Sequence, residues 1–544
     1  MVQLANFTAL DYGILIAYLL VVAVLGVYVG RNQHSTKDYF LGGRKIPWWS
    51  IGISVMATQA GAITFIGTPG WGYEGGLERI TTFINVPLAM AFLIVTIVPF
   101  FYRTNVYTAY EYLEKRFDKK TRLLTGSLFL ISRGLATGIT LFAPALVLSV
   151  ITGWNINFTI ILMAVLSIAY TVFGGISAVI WTDVAQMIVL WFGAIISAIA
   201  IYLQIPGGWS EILQVSSDAQ LLDAFDFSFD LSVEYSIWAG IFGGFFLHAA
   251  YFGVDQSQIQ RVLTSKSVKE SQYSLIFTGF LLVPQMLLFL FIGVMLYAFY
   301  SHTGAPQYDD INELFPRFIV NELPAGISGL IIAGVFAGAM SSLDSALNSL
   351  SAVSIQGFYK KYMKKNASEA HYLSASRWAT ILWGIYAMVF AFFAGNLGPL
   401  IEVINKIGSY FYGSLLGVFI LAIFTRRSNG LGAFTGVIAG MISVLLVDRL
   451  ADISYLYNNL VGAVVAVAVG YFVSFLSGKP DAEQLDQYTY IWNKEEAKKV
   501  LDKRSAEAIE VMEQDSKGMK KWPFILIAYF FLLVGLLILL QIAY

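Results

Sequence analysis

Runs of about 20 mainly apolar residues recur from one end of the chain to the other, and they constrain its fold more than any other feature. A run of that length crosses about 30 Å of hydrocarbon as an α-helix. Only 13% of the 544 residues are charged, against about 25% in an average soluble domain, so lipid must be the solvent for much of the surface. Because the runs are continuous rather than alternating, they predict helices and not barrel strands.

Fourteen such runs are found in the sequence, and we name them spans 1 to 14 in chain order. The first run is too long for a signal-peptide core and has no basic leader, which predicts a retained span. The runs lie at about 8–30, 48–70, 80–101, 122–151, 156–174, 177–206, 234–260, 270–300, 324–357, 374–396, 398–425, 429–449, 455–477 and 522–543.

The distribution of basic residues predicts the orientation of these spans. The segment 207–233 contains acidic residues but no Lys or Arg, so we expect it outside. The segments 102–122, 359–366 and 478–521 are rich in Lys and Arg, so we expect them in the cytoplasm. With fourteen spans both termini then face outward. The last of these segments is predicted to contain an amphipathic helix that tethers span 14.

Composition and motifs exclude several kinds of function. The chain has no cysteine, so disulfides, thiolate metal sites and cysteine nucleophiles are impossible. Its formal net charge of −1 gives no reason to expect nucleic-acid binding, and its four histidines are too scattered for a metal site. Residues 70–75 match G-x-G-x-x-G, but no strand precedes them, so the dinucleotide-binding mechanism lacks its structural context.

Span 2 contains the string ISVMATQAGAITFIGTPG, in which glycines and a proline stand among small polar residues. Glycine is costly inside a helix and proline more so, which predicts an interruption of the helix within the membrane. Such a break is tolerated where its carbonyl groups face protein or a wet cavity, and those groups are good Na⁺ ligands. Close helix packing through small residues would leave the same pattern.

Span 9 contains a carboxylate among hydroxyl groups. Ser341, Asp344, Ser345 and Asn348 share one helical stripe, and Ser342 lies on an adjacent one. A carboxylate at mid-span costs on the order of 3 kcal/mol unless it is paired or hydrated. The hydroxyl groups offer hard oxygen ligands to an alkali cation, so an ion site is favoured over a polar seam between helices.

Polar side chains also interrupt spans 6 and 7. Asp183 follows a Gly-Gly turn, where it could cap a helix or lie at the inner end of an ion path. His248 and Tyr251 share one face of span 7, shortly before the polar run 255–258. A lone histidine in a membrane is often an interhelical hydrogen-bond partner, but the neighbouring polar cluster favours a cavity.

Several motifs in order resemble the sodium:solute symporter family, whose members include the sodium/glucose, sialic acid, proline, iodide and monocarboxylate symporters. The resemblance covers nearly the whole chain, and its motifs are closest to the iodide, vitamin, monocarboxylate and sialic acid branches. It rests on KDYFLGGRKIPWW (37–49), TAYEYLEKRFDKKTR (108–122), FGGISAVIWTDVAQ (173–186), FGVDQSQIQR (252–261) and MSSLDSALNSLSAV (340–353).

The resemblance implies an all-α polytopic membrane protein of about fourteen transmembrane helices around a LeuT-type core. In that core two inverted five-helix repeats face each other, and spans 2 and 7 are broken at mid-membrane. The implied divisions are 1–47 (first span and connector), 48–206 (first repeat), 207–233 (external loop), 234–425 (second repeat), 426–477 (spans 12 and 13), 478–521 (charged linker) and 522–544 (last span).

The resemblance also implies ion and solute sites. The main Na⁺ site would use the backbone carbonyls of Ala57, Ala60 and Gly338 with the hydroxyls of Ser341 and Ser342. A second Na⁺ site would use Asp183, Ser341 and Ser345, with Asp344 nearby. The implied solute contacts are Thr64, Phe83, His248, Tyr251 and Asn405, and Arg133 lies about one helical turn from the arginine that binds the carboxylate in sialic acid symporters.

The sugar branch of the family has a Glu at the position of Phe83, and this difference favours a smaller or more apolar solute. Arg133 or His248 could then bind a carboxylate, and Tyr251 would form the inner gate.

The expected function is sodium-coupled import of a small organic solute, carboxylate-like or sugar-like, by alternating access. The expected cofactor is Na⁺ as the coupling ion, and the expected partners are the solute and the lipid bilayer, with no nucleic acid. The chain is expected in the plasma membrane, working as a monomer. Alternatives are a proton-coupled carrier of the same fold and a transporter-derived membrane sensor. An enzyme is not expected, because no nucleophile–base arrangement or metal motif is found.

Overall fold

The computed structural model describes residues 7–30, 35–104, 106–304, 311–395, 397–398, 400–478, 480, 485, 488–489 and 518–544. Within these ranges the chain is helical and contains no β-strand. Every predicted span overlaps a helix. The amphipathic helix predicted within 478–521 lies almost entirely outside the described residues.

The first seven spans contain two kinds of interruption. Spans 5 and 6 form one helix that turns at Gly175, whose positive φ of 55° favours glycine. Spans 2, 3 and 7 are each divided into separate helices. The helices of spans 1 to 7 are, in order, Ala9–Gly30, Trp48–Gln59 with Ala62–Gly75, Val86–Val95 with Ile97–Thr104, Lys119–Thr152, Ile156–Gln204 for spans 5 and 6, and Ala239–Gly244 with Phe245–Val254 and Gln256–Val262.

The later spans are single helices, except that span 9 continues into a π-helix. They are Val268–Thr303, Ile327–Ala352 with Val353–Met363, Glu369–Ala394, Leu400–Phe424, Gly430–Leu450, Tyr457–Ser477 and Trp522–Ala543. The connections contain the shorter helices Thr36–Leu41, Gly42–Arg44, Gly76–Thr82, Ala109–Arg116, Gly208–Asp218, Ile311–Glu313 and Leu314–Glu322.

Ten helical segments in the described part of the chain are long and apolar enough to cross a membrane. Three further apolar helices are shorter, at Ala9–Val22, Ile156–Ala169 and Ala239–Val254. The structure therefore agrees with an all-helical membrane protein. The number of crossings stays a prediction.

Span 9 is the innermost of these segments. It packs against spans 1, 2, 4 and the long helix of spans 5 and 6. Its apolar window is 89% buried, whereas that of span 14 is 22% buried. Asp11 of span 1 accepts hydrogen bonds from the backbone N–H groups of Gly326 (2.7 Å) and Gly329 (2.8 Å). The polar stripe of span 9 is therefore enclosed by protein rather than by lipid.

Candidate functional site

The break predicted in span 2 lies at two residues between its two helices. Ala60 has φ −88° and ψ 48°, and Gly61 has φ −68° and ψ −176°, so neither residue is helical. A helix that ends inside protein leaves its last four carbonyl groups without their usual partners. This break therefore supplies a set of free backbone oxygens.

Two of these carbonyl groups are satisfied by side chains. Thr58 O accepts a hydrogen bond from Ser342 Oγ at 3.2 Å, and Gln59 O accepts one from Thr64 Oγ1 at 2.7 Å. Met56 O accepts a hydrogen bond from Ala60 N at 2.8 Å. The fourth carbonyl group, that of Ala57, and the next one along the chain, that of Ala60, accept no hydrogen bond from the described residues.

Span 9 approaches the break so closely that only glycines fit. A Cβ atom on Gly61 would lie 2.2 Å from Ser342 Oγ and 3.4 Å from Gly338 O. A Cβ atom on Gly338 would lie 3.0 Å from Ala62 N and 3.2 Å from Ala60 O. Ala60, Gly338 and Ser342, three of the five residues expected to form the main ion site, thus lie close together.

Asp183 lies within the same region but is paired differently from either expectation. Its helix turns at Gly175, two turns earlier, so the alternative that Asp183 caps a helix is wrong. Its Oδ2 accepts hydrogen bonds from Arg261 Nη2 at 3.1 Å and from Ser54. The Ser341 hydroxyl lies beside this carboxylate, yet neither Ser341 Oγ nor Asp183 Oδ1 has a partner of good geometry in the described chain.

Arg261 is the functional candidate that sequence reasoning missed. It is fully buried, and it donates hydrogen bonds to Ser345 Oγ as well as to Ser54 Oγ at 2.7 Å. The available signal was physical: a guanidinium in a mid-membrane polar string requires a counter-charge, and Asp183 is one of the few intramembrane carboxylates. The guanidinium therefore contacts two of the residues expected to hold a second Na⁺.

Asp344 also contacts a neighbouring helix. Its Oδ1 accepts a hydrogen bond of 2.7 Å from Thr171 Oγ1, on the half of the long helix that belongs to span 5. Its contribution to the second site stays a prediction.

A cavity of about 80 Å³ opens beside the break in span 2. Five of the six expected solute contacts line it; Phe83 does not, because its ring is buried behind His248 at a centroid distance of 5.5 Å. His248 Nδ1 lies 2.9 Å from Asn85 Oδ1 and 3.1 Å from Gly244 O. The lining residues are Thr58, Gln59, Gly61, Ile63, Thr64, Arg133, Thr137, Thr140, Leu247, His248, Tyr251, Ser342, Ala346, Ile401, Ile404, Asn405 and Tyr412.

Arg133 is the only charged side chain among these lining residues. It forms an ion pair with Asp255, and its Nη2 lies 3.3 Å from the hydroxyl of Tyr412. Its guanidinium carbon lies 5.5 Å from the centre of the Tyr251 ring. The Tyr251 hydroxyl accepts a hydrogen bond of 2.7 Å from Gln258. Arg133 thus joins the cavity to the residues around the break in span 7.

Comparison with known proteins gives related transporters. The sodium/sialic acid symporter of Aliivibrio fischeri is 31% identical over 491 residues, which cover 89% of this chain and 96% of that protein. Human sodium-coupled monocarboxylate transporter 1 is 30% identical over 464 residues, which cover 83% of this chain and 75% of that protein.

Two solved structures that are similar to this chain are also transporters. A Na⁺-coupled sialic acid symporter in a substrate-bound, outward-open state matches with a TM-score of 0.81 and 30% identity, covering 87% of this chain and 99% of that one. The nucleobase-cation-symport-1 family transporter Mhp1, at TM-score 0.51 and 11% identity over 82% of this chain and 97% of that one, shares the fold. The family model of the sodium:solute symporter family matches residues 39–440. The chain therefore belongs to the sodium:solute symporter family.

Proposed function

We propose that this sodium-coupled symporter imports a carboxylate-bearing organic solute by alternating access, with one Na⁺ held where spans 2 and 9 meet. The observation that carries the ion site is the pair of free carbonyl groups at Ala57 and Ala60, of which that of Ala60 lies beside Gly338. Together with the carbonyl of Gly338 and the hydroxyls of Ser341 and Ser342, they offer five neutral oxygens. Such a set suits a weakly held monovalent cation that must leave on every cycle.

Sodium at this place would couple to the solute by linkage. The ion would bridge the two halves of span 2 to span 9, and Thr58, Gln59 and Thr64 of the same break also line the cavity. Bound Na⁺ orders these residues in the arrangement that binds solute. Na⁺ therefore raises the affinity for solute, and solute raises the affinity for Na⁺ by the same factor. Each inward charge adds about 2.3 kcal/mol per 100 mV of membrane potential.

A second Na⁺ is proposed at the free Asp183 Oδ1 and Ser341 Oγ, with Ser345 as a third ligand. Arg261 contacts Asp183 and Ser345 in this structure, so the ion could complete its ligand set only after the guanidinium moves. The site is therefore proposed to fill in a different state of the transport cycle.

The charge of the cavity lining supports an anionic solute. Among the described lining residues there is one cation, Arg133, and no carboxylate. A buried guanidinium binds a carboxylate through two parallel hydrogen bonds, which gives both affinity and orientation. Sialic acid and the monocarboxylates transported by two of the relatives are acids of this kind.

We further propose the finer topology expected for this fold: fourteen crossings in the plasma membrane, both termini outside, and a monomer as the working unit. Spans 2–6 and 7–11 would form inverted repeats. Tyr251, held by Gln258 and beside Arg133, would close the cavity on the cytoplasmic side.

The solute class is tested by thermal-shift measurements on the purified protein. Sialic acid, pyruvate, glucose and proline are compared in Na⁺ and in choline at fixed pH, because a ligand that binds the folded state raises the melting temperature. The proposal expects stabilisation by an acid in Na⁺ alone. Stabilisation by glucose only would contradict it. Stabilisation by a solute in choline would favour a proton-coupled carrier. Uptake of the solute into liposomes against its concentration gradient would exclude a membrane sensor.

The ion site is tested with Ser342→Ala. Ser349→Ala is the matched control, because among the described residues the Ser349 hydroxyl bonds to Ala346 O of its own helix alone. Loss of one of five ligands should raise the Na⁺ concentration for half-maximal uptake at least tenfold, with little change in the control. An unchanged Na⁺ dependence in Ser342→Ala would contradict the site.

A further inference from the structure

Asp255 occupies the break in span 7 and bonds in two directions. It has extended backbone angles (φ −72°, ψ 126°) between the helices Phe245–Val254 and Gln256–Val262. Its Oδ1 accepts hydrogen bonds from Ser257 N at 2.8 Å and Ser257 Oγ at 2.6 Å, so it caps the second helix. Its Oδ2 bonds to Arg133 and, at 3.1 Å, to the Tyr412 hydroxyl. One carboxylate therefore holds this short helix to spans 4 and 11.

The anion site on Arg133 is only half used. Its Nη2 contacts both Asp255 and Tyr412, whereas its Nε is buried without a partner in the described chain. A carboxylate that binds a guanidinium through two hydrogen bonds must use Nη2 together with either Nε or Nη1. Because Nη2 already bonds to Asp255 and Tyr412, a solute carboxylate can bind in this way only if it displaces them.

The other end of the short helix is held by a second buried ion pair. Arg261, its penultimate residue, pairs with Asp183 at 3.1 Å and donates a hydrogen bond to Ser345. The helix Gln256–Val262 thus connects the cavity cation Arg133 to the proposed second Na⁺ site. Energetic coupling between sites requires such an element with two possible arrangements.

We propose that Asp255 is a built-in anion that occupies the solute-carboxylate site of Arg133, and that solute displaces it. The inference rests on the proposed carboxylate solute. Two carboxylates on one buried guanidinium repel each other, so the incoming solute takes Nε and Nη2 and Asp255 withdraws, keeping its bonds to Ser257. The short helix loses its tie to spans 4 and 11 only when solute is bound. Without solute, the short helix therefore stays tied to spans 4 and 11.

The test uses Asp255→Asn, which removes the charge but keeps a good helix cap, because Asn and Asp cap equally well. Asp255→Ala loses charge and cap together, and Tyr412→Phe removes only a neutral hydrogen bond. Sialic acid and pyruvate are titrated in Na⁺, each beside its methyl ester. We expect one of the two acids to bind the parent, and we expect Asp255→Asn to bind that acid roughly tenfold more tightly. This is the gain expected when the state with Arg133 free to bind solute rises from about 10% to nearly full population. The ester should show no gain, and Tyr412→Phe a smaller one.

A second measurement needs no solute. The chain has no cysteine, so Val262→Cys, at a position that is 1% exposed, gives a single buried thiol on the short helix. In the absence of solute its alkylation by maleimide should be slow with Asp255 and at least several-fold faster with Asp255→Asn.

The outcomes separate the two proposals. If neither acid binds the parent protein, the carboxylate solute is wrong. An acid could bind the parent while its affinity and the thiol reactivity are both unchanged in Asp255→Asn. In that case the proposed displacement of Asp255 by solute is wrong, and the proposed function stands.

Discussion

Gly338 is constrained by space and not by backbone angle, because it lies inside the regular helix Ile327–Ala352. What excludes a side chain is the break in span 2, whose Ala62 N and Ala60 O would lie 3.0 and 3.2 Å from an added Cβ. Both contacts are with backbone atoms, which cannot rotate away. The glycine therefore sets how closely span 9 approaches the free carbonyl groups.

Gly338→Ala should consequently push span 9 away from the break and raise the Na⁺ concentration for half-maximal uptake by about tenfold or more, because a shift of a few tenths of an ångström disturbs ion ligands. Gly334→Ala is the matched control one turn earlier, where the nearest atoms to an added Cβ are at 3.5 Å, an ordinary contact. Sodium titration of uptake in liposomes measures both. Equal behaviour of the two variants would contradict the close approach.

Single residues were also where sequence reasoning was least complete. The hydroxyls of span 9 and the carboxylate of Asp183 were singled out by the cost of polar groups in lipid. Arg261 was not singled out, although the same argument holds for a buried guanidinium, and its partner Asp183 is 78 residues away along the chain. Nor did it show that Phe83 packs behind His248 instead of lining the cavity.

At the scale of elements, the helix Ala109–Arg116 between spans 3 and 4 is tied to three spans. Glu114 forms ion pairs with Arg122, at the start of span 4, and with Lys361, beyond span 9. Arg116 donates hydrogen bonds to the carbonyl groups of Ala422 (3.1 Å) and Thr425 (2.8 Å) at the end of span 11. This short helix therefore holds the ends of three spans together.

The pKa of Glu114 gives a prediction with a defined sign. Partial burial would raise the pKa of its carboxyl, but the hydrogen bonds from Lys361 and Arg122 outweigh burial, so the pKa is lowered. The ion pairs should then stabilise the protein fully above the usual glutamate pKa of about 4.3, and lose this effect as pH falls through the lowered value.

Glu114→Gln should therefore destabilise the protein by about 1–3 kcal/mol at pH 7, with the difference from the parent disappearing at low pH. The control is Glu111→Gln on the same helix, whose i,i+4 pair with Lys115 at 3.1 Å is worth about 0.5 kcal/mol. The hydrogen bond that Glu111 accepts from Tyr107 N at 3.0 Å can be kept by the glutamine oxygen. Thermal unfolding at several pH values measures both. A loss that is the same at low pH and at neutrality would contradict the assignment.

For the whole molecule, burial separates the spans that contain the site from those that face lipid. Spans 10, 12, 13 and 14 have windows that are at most 33% buried, and their surfaces present large apolar side chains. Span 9 is almost completely enclosed. Polar residues can be kept in span 9 because its neighbours, and not lipid, surround it.

The proposed orientation predicts which loops a reagent can reach. In this cysteine-free chain Ser228→Cys, exposed in the segment 207–233, should be labelled from outside by a membrane-impermeant maleimide in intact cells. Lys365→Cys, exposed after span 9, should be labelled only after permeabilisation. Labelling of both positions, or of Lys365→Cys alone, in intact cells would contradict fourteen crossings with external termini.

The sequence by itself determined that the chain is helical and spans the membrane, where its helices lie, which residues of span 2 could interrupt a helix, and which family motifs it contains. These follow from local quantities: apolar length, charge density, and the cost of glycine and proline within a helix. Only the tertiary structure decided which carbonyl groups of the break stay free, that Arg261 pairs with Asp183, and that Asp255 already holds Arg133. Pairings of this kind depend on which helices pack together, and the energy of a buried charge requires that it find a partner without specifying which one.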